Sequence, residues 1–201
     1  MIGRLKGWLQ GGAAEPDASS PSGAGVELRV LMVCTGNICR SPTAEAVLRD
    51  RLARAGLADR VAVDSAGTQG YHTGEAPDPR AVKAAAARGY DLRGLRARPM
   101  TAADFTHFHM LLAMDEDHMA WMQRKAPPGM PARIELLLPH SRRYKDQRNV
   151  PDPYYGATAG FDRVLDLVED ACDGLLPRLS SLLQDHPRGG VRGHEQQKNP
   201  A

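Results

Sequence analysis

Apolar positions along the chain fall into short dense runs separated by stretches with helical spacing. Residues 26–33, VELRVLMV, become continuously apolar at their end, as a strand buried on both faces does. Residues 41–56, SPTAEAVLRDRLARAG, follow with good helix formers, Pro42 at a plausible first helical position and Gly56 as a stop. RVAVDSAGT (60–68) predicts a second strand, and DPRAVKAAAARGY a helix from Asp78 to near Gly89. Thr101 and Asp104 stand at capping-box-like spacing, ahead of the apolar strand HMLLAMD (109–115) and a helix through Trp121. ARIELLL (132–138) is the fourth strand, and a last helix carries Phe161, Leu165, Val168, Cys172, Leu176 and Leu179 on one face. This alternation predicts an α/β fold, a single doubly wound domain with a four-stranded parallel sheet flanked by helices. Ligands of such a sheet bind at the carboxyl ends of its strands.

Both ends of the chain have a different composition. Residues 11–25, GGAAEPDASSPSGAG, are too small and polar to offset their ordering entropy, so residues 1–25 are expected to be a flexible leader. Within it MIGRLKGWLQ spaces Ile2, Leu5 and Leu9 like one helix face; a frayed terminus or a helix resting on the domain is the expectation, rather than membrane contact. Residues 185–201 read as a disordered tail, which leaves 26–184 as the folded domain.

Charge and cysteine usage narrow the function. Lys and Arg number 26 against 24 Asp and Glu, so no overall field would hold a nucleic acid, while a small or local anionic ligand is compatible. Three cysteines at spacings unlike a disulfide framework or a zinc site, with no run apolar enough to span a membrane, point to a reducing cytoplasm. None of the seven histidines stands at ligand spacing with an acidic or sulfur residue, so neither metal nor other cofactor is expected.

The chemistry concentrates where the first strand ends, in VCTGNICRSP. Gly36 is expected to let the backbone turn so that successive N–H groups form a nest for an anion, and the following helix adds the positive end of its dipole. This phosphate loop at the end of the first strand begins with a thiol and ends with a guanidinium. Cys34, beneath those donors and beside Arg40, is set up as a thiolate nucleophile. Arg40 can grip two oxygens of a phosphoryl group at once. Thr35 is expected at the loop rim, and Asn37 is expected to pin the loop through its amide. The Ser41 hydroxyl either caps the helix or donates to the thiolate. Ile38 and Cys39 complete the turn, and Cys39 is near enough to Cys34 in sequence for a protective reversible disulfide. Cys172 reads as a core residue.

These residues resemble the signature of the low-molecular-weight protein-tyrosine phosphatases, and the resemblance extends over about residues 28–184. DSAGT (64–68), RARPMTAADF (96–105), AMD (113–115) and DPYYG (152–156) occur in that family's order. Two departures are His109, where relatives commonly have aspartate, and the long leader. The resemblance implies the small doubly wound fold, phosphotyrosine proteins or peptides as substrates, and Asp152 as the acid that protonates the leaving phenolate. The residues agree with that role: a phenolate of pKa about 10 leaves poorly without a proton, and Asp152 sits in a loop stiffened by Pro151 and Pro153. Tyr154, Tyr155 and Tyr71 are candidate walls for a slot that accepts a flat ring. The basic run SRRYKDQR (141–148) reads as a solvated loop.

Two other functions share the features of the loop. A thiol-dependent arsenate reductase on the same fold would, by the resemblance, need a further cysteine pair between the second helix and the next strand, and residues 73–112 contain none. A non-catalytic phosphate-binding module would be expected to lack Cys34 or Asp152, and both are present.

Overall fold

The computed structural model describes residues 25–185. The proposed leader and tail therefore lie outside the described residues, apart from Gly25 and Asp185. Four strands, β1 (Leu28–Cys34), β2 (Val61–Gly67), β3 (Met110–Ala113) and β4 (Arg133–Leu136), form one sheet in the order β2-β1-β3-β4. Every pair is parallel, with Val30 opposite both Val63 and Met110, and Met110 opposite Arg133. Five helices connect and cover it: α1 (Arg40–Arg54), α2 (Pro79–Ala87), α3 (Asp104–His107), α4 (Glu116–Lys125) and α5 (Ala159–Asp185).

Strand β1 shows why its sequence lacks a polar alternation. Leu28, Val30 and Met32 face a core shared with Val47, Leu48 and Leu52 of α1 and with Val164, Val168 and Leu175 of α5. Leu31 and Val33 face the opposite side, against Phe105, Phe108, Leu111, Met122 and Leu136. From Val30 onward this central parallel strand is buried on both faces and apolar throughout, with Arg29 at its start as the one charged position, and its period of two shows only in which core each residue joins.

The order of strands places the site. From β1 the chain crosses to β2 on one side, and then returns past β1 to β3 on the other. The segments that leave the carboxyl ends of β1 and β3 therefore diverge, and a crevice opens between them. Cys34 closes β1 at that crevice.

Local signals account for most boundaries. Asp78 caps α2 by accepting Arg80 N–H at 2.8 Å, with Pro79 as its first residue. Asp115 caps α4 by accepting His118 N–H at 2.9 Å. Gly56 and Gly89 end α1 and α2 with φ of 69° and 86°. Asp104 accepts Thr101 N–H at 2.7 Å, the reach-back half of a capping box, although α3 starts only at Asp104. Helix α1 starts at Arg40, so Pro42 is its third residue, still inside the first turn where a missing N–H forfeits no helical bond. The fourth strand stops at Leu136, and a short 3-10 turn (Leu138–His140) with Pro139 follows. On α5 Phe161, Leu165, Val168, Cys172 and Leu179 are buried as expected, and Leu175 is fully buried where Leu176 is only partly so. His109 accepts Arg29 N–H through Nδ1 at 3.0 Å, supplying the kind of acceptor that an aspartate would.

Candidate active site

The loop between β1 and α1 is held from behind by Asn37. Its φ of 58° places the left-handed turn here, not at Gly36 as the sequence suggests; asparagine tolerates this region because its side chain can bond locally. Asn37 Oδ1 accepts Arg98 N–H at 2.9 Å, and Nδ2 donates to Ser41 Oγ and Ser65 Oγ, each at 2.8 Å. Gly36 serves proximity instead: a Cβ there would lie 2.9 Å from His72 Cδ2. Gly67 does the same from β2, since its Cβ would meet Thr35 O at 2.6 Å and Gln69 O at 2.8 Å. That approach lets Thr68 N–H and Gln69 N–H bond the carbonyls of Cys34 and Thr35.

Cys34 is buried at the base of the loop, and its Sγ lies 3.0 Å from Ser41 Oγ. Ser41 makes no helix cap, and its hydroxyl faces the sulfur instead. Ile38 and Cys39 direct their side chains into the core around α1. Burial, followed by the negative charge of Asp78, Cys34 and Asp152, pushes the Cys39 thiol up to about 12, so it stays protonated at neutral pH. Cys34, Cys39 and Cys172 are all unpaired. Cys172 is fully buried, and burial raises its thiol far above the ordinary range.

Arg40 is the first residue of α1, only 3% exposed, and its guanidinium is divided between two carboxylates. Nη1 donates to Asp115 Oδ2 at 2.7 Å and to Val150 O at 3.3 Å; Nη2 donates to Asp152 Oδ2 at 2.8 Å and to Thr35 Oγ1 at 3.3 Å. A ring of contacts closes behind it. His118 Nε2 is 2.8 Å from Thr35 Oγ1, and His118 Nδ1 is 2.7 Å from Asp115 Oδ1, an ion-pair distance not aligned as a hydrogen bond. Burial pushes the Asp115 carboxyl up, but His118 and the Arg40 guanidinium outweigh it and hold the group at about 2.

Asp152 arrives on the segment after the 3-10 turn. Val150 anchors that segment by donating its N–H to Met114 O at 2.8 Å. The Asp152 side chain is 45% exposed, and Oδ1 accepts Tyr154 N–H at 3.1 Å in a tight turn. Tyr154 and Tyr155 meet edge to face at 4.9 Å between centroids. Arg80, paired with Asp78, lies over the Tyr154 ring at 5.7 Å, and His72 stands 6.5 Å from it. Tyr155 is 95% exposed and Tyr71 75%, whereas His72 lies against Gly36 of the loop and Tyr154 stands next to His72.

The structure thus brings together Cys34, Thr35, Asn37, Arg40, Ser41 and Asp152, which the sequence had singled out. Asp115, His118, Ser65, Glu45, Arg98 and His72 were not assigned roles from sequence. Asp115 carried one readable signal, an acidic residue at a strand end three positions before a histidine, as in a helix cap. The others reach the loop only through strand pairing and the crossing of segments, which spacing does not reveal.

A parallel α/β sheet with a loop at its switch point that runs from a thiol to a guanidinium defines the class: an open-sheet α/β protein with its candidate site at the carboxyl ends of the strands. The family model described as low molecular weight phosphotyrosine protein phosphatase matches residues 29–186. The low molecular weight protein-tyrosine-phosphatase of Streptomyces coelicolor is 44% identical over 150 residues, 74% of this chain and 91% of that protein. The low molecular weight phosphotyrosine protein phosphatase 2 of Drosophila melanogaster is 41% identical over 148 residues, 73% and 89% of the two chains. A crystal structure of the Entamoeba histolytica protein tyrosine phosphatase, with Hepes in its active site, superposes with a TM-score of 0.74 at 38% identity, covering 77% of this chain and 98% of that one. The chain belongs to the low molecular weight phosphotyrosine protein phosphatase family.

Proposed function

We propose that the protein hydrolyses phosphotyrosine in proteins or peptides, in two steps through a cysteinyl-phosphate. The observation that carries this reading is the Arg40 to Asp152 pair, which joins residues far apart in sequence within reach of the Cys34 loop. An incoming phosphoryl group takes the Nη2 edge of Arg40, and the loop amides with the α1 N-terminus receive its other oxygens. The Cys34 thiolate attacks phosphorus, the bond to the aryl oxygen breaks, and Asp152 delivers its proton to the leaving oxygen. In the second step Asp152, now a carboxylate, takes a proton from water. The hydroxide oxygen bonds phosphorus, the P–S bond breaks, and phosphate leaves with the thiolate restored. Tyr154, with Tyr155 and His72 around it, gives a substrate ring an aromatic edge to rest on. Three unpaired cysteines suit a cytoplasmic setting. Arsenate reduction is not favoured, because by the resemblance it needs a further cysteine pair between α2 and β3, and residues 73–112 contain none.

The test compares phosphotyrosine peptides, phosphoserine peptides and arsenate as substrates, together with two variants. Cys34→Ser should abolish turnover while vanadate still binds, since Arg40 and the loop remain. Asp152→Ala should slow phosphotyrosine cleavage by roughly 10²- to 10⁴-fold, the usual loss for a general acid. With an activated aryl phosphate, whose leaving group needs no proton, that variant should release a burst of phenol equal to the enzyme and then turn over slowly. Retained turnover in Cys34→Ser, or an equal small loss with both substrates in Asp152→Ala, would overturn the assignment.

A further inference from the structure

Helix α2 begins beside the β1–α1 loop. Asp78 N–H donates to Ile38 O at 2.8 Å, which ties the start of the helix to the loop itself. The Asp78 carboxylate then takes the Arg80 guanidinium at two points, Nε to Oδ1 at 3.0 Å and Nη2 to Oδ2 at 2.7 Å. A fork of this kind fixes the plane of the guanidinium as well as its position. Hydrogen bonding from Arg80 leads among the causes that hold the Asp78 carboxyl below its ordinary value, so the pair is charged at neutral pH.

Two rings lie within cation–π reach of that guanidinium. Arg80 Cζ is 4.7 Å from the centroid of Phe161 and 5.7 Å from that of Tyr154. The rings differ in how they are held. Phe161 is buried in the core at the start of α5, whereas Tyr154 is exposed on the turn that follows Asp152. Of the other rings near Tyr154, Tyr155 is itself almost fully exposed and His72 stands 6.5 Å away. Arg80 thus joins the Tyr154 ring to groups that are fixed: the buried Phe161 and, through Asp78, the β1–α1 loop.

We propose that Arg80 is a positioning residue for substrate selection: held by Asp78, its guanidinium keeps the Tyr154 ring at a set place above the loop, so that the site favours a phosphoryl group carried on a flat ring. The proposal rests on the phosphotyrosine reading and deepens it. Without Arg80 the exposed Tyr154 would have to be ordered by the ligand, and that cost would be subtracted from binding. The phosphoryl end of a ligand goes to Arg40 and the loop amides, while the hydrogen bonds of the Arg80 side chain go to Asp78. The loss of Arg80 should therefore be felt by the ring alone.

Two ligands that are not hydrolysed separate the two ends. Methylphosphonate carries the anion without a ring, and benzylphosphonate carries both. Their Kd values, titrated by phosphorus NMR on the whole chain, require no turnover. Arg80→Met should weaken benzylphosphonate by roughly two- to fivefold, the size of one exposed cation–π contact, and leave methylphosphonate unchanged. Arg80→Lys keeps the charge but neither the two-point hold nor the flat face, and should show the same ring-only loss. It makes the same decision if R80M does not fold. In a Tyr154→Leu background R80M should weaken neither ligand further, because Arg80 acts through that ring. Equal weakening of both phosphonates would make Arg80 a support of the loop and overturn the proposal. So would a wild type that binds both alike, an R80K that binds as wild type does, or losses that multiply with Tyr154→Leu. The phosphotyrosine reading fails separately, by turnover surviving in Cys34→Ser.

Discussion

Asp115→Asn tests whether the Arg40 guanidinium is held by charge or only by shape. In the wild type Asp115 Oδ2 accepts Arg40 Nη1 at 2.7 Å, while Oδ1 caps α4 through His118 N–H at 2.9 Å. The asparagine oxygen can keep the cap, which leaves its NH2 pointing at the guanidinium, donor against donor. The carboxyl is held at about 2 against an ordinary 3.8, a difference of 1.8, from 3.8 − 2. At about 1.4 kcal/mol per unit this would be roughly 2.5 kcal/mol, and partial solvation reduces it to about 1–2 kcal/mol. A depressed carboxyl stabilises the native state fully above its unfolded value, and that contribution is lost as pH falls from 3.8 toward 2. Urea unfolding of wild type and D115N should therefore differ by about 1–2 kcal/mol at neutral pH, with the gap narrowing through that acid window. Turnover should fall further than stability implies, by roughly 30- to 100-fold, because Arg40 loses a charge-assisted bond on the edge that fixes its plane. A stability gap that stays constant into acid would mean that the loss is one of packing. Unchanged turnover would mean that Arg40 is held without Asp115.

Gly174→Ala should destabilise strongly, since a Cβ there would stand 1.8 Å from His140 O, and α5 would have to move off the 3-10 turn. A cost at or above the upper end of overpacking, about 3 kcal/mol, is expected in urea unfolding; a loss under about 0.5 kcal/mol would show that the helix shifts freely. Mild peroxide should oxidise Cys34 to a sulfenic acid, with which the Cys39 thiol condenses to a disulfide and releases water, and thiol reductants should restore activity. If Cys39→Ser recovers as completely as wild type, Cys39 gives no protection.

What could be read from the sequence and what could not divides along physical lines. The strands announce themselves because central parallel strands are apolar on both faces, and the turn after β1 does so because Cys34, Asn37, Arg40 and Ser41 are chemically unusual neighbours. Finer features were missed where two residues could serve equally by type. Glycine is the default for a left-handed turn, yet Asn37 holds it, since its side chain is wanted for three bonds in the same place. Leu175 and Leu176 are equally apolar, and only the rotation of α5 against the sheet selects the first. Glu45 looks like a surface residue of an amphipathic helix until β2 pairs beside β1 and places Ser65 against it.

The burial of Arg40 has a consequence for how substrate enters. A guanidinium only 3% exposed cannot be left without a counter-charge, and with two partners it has one that is built in and one that is replaceable. Asp115 is tied at both oxygens, to Arg40 and to the α4 N-terminus, whereas Asp152 is nearly half exposed on a loop between prolines. A phosphate dianion entering the crevice can displace Asp152 from Nη2 without leaving Arg40 unpaired at any moment, so the desolvation of the cation is met before substrate arrives. An exchange of one anion for another at Nη2 thus keeps Arg40 compensated throughout.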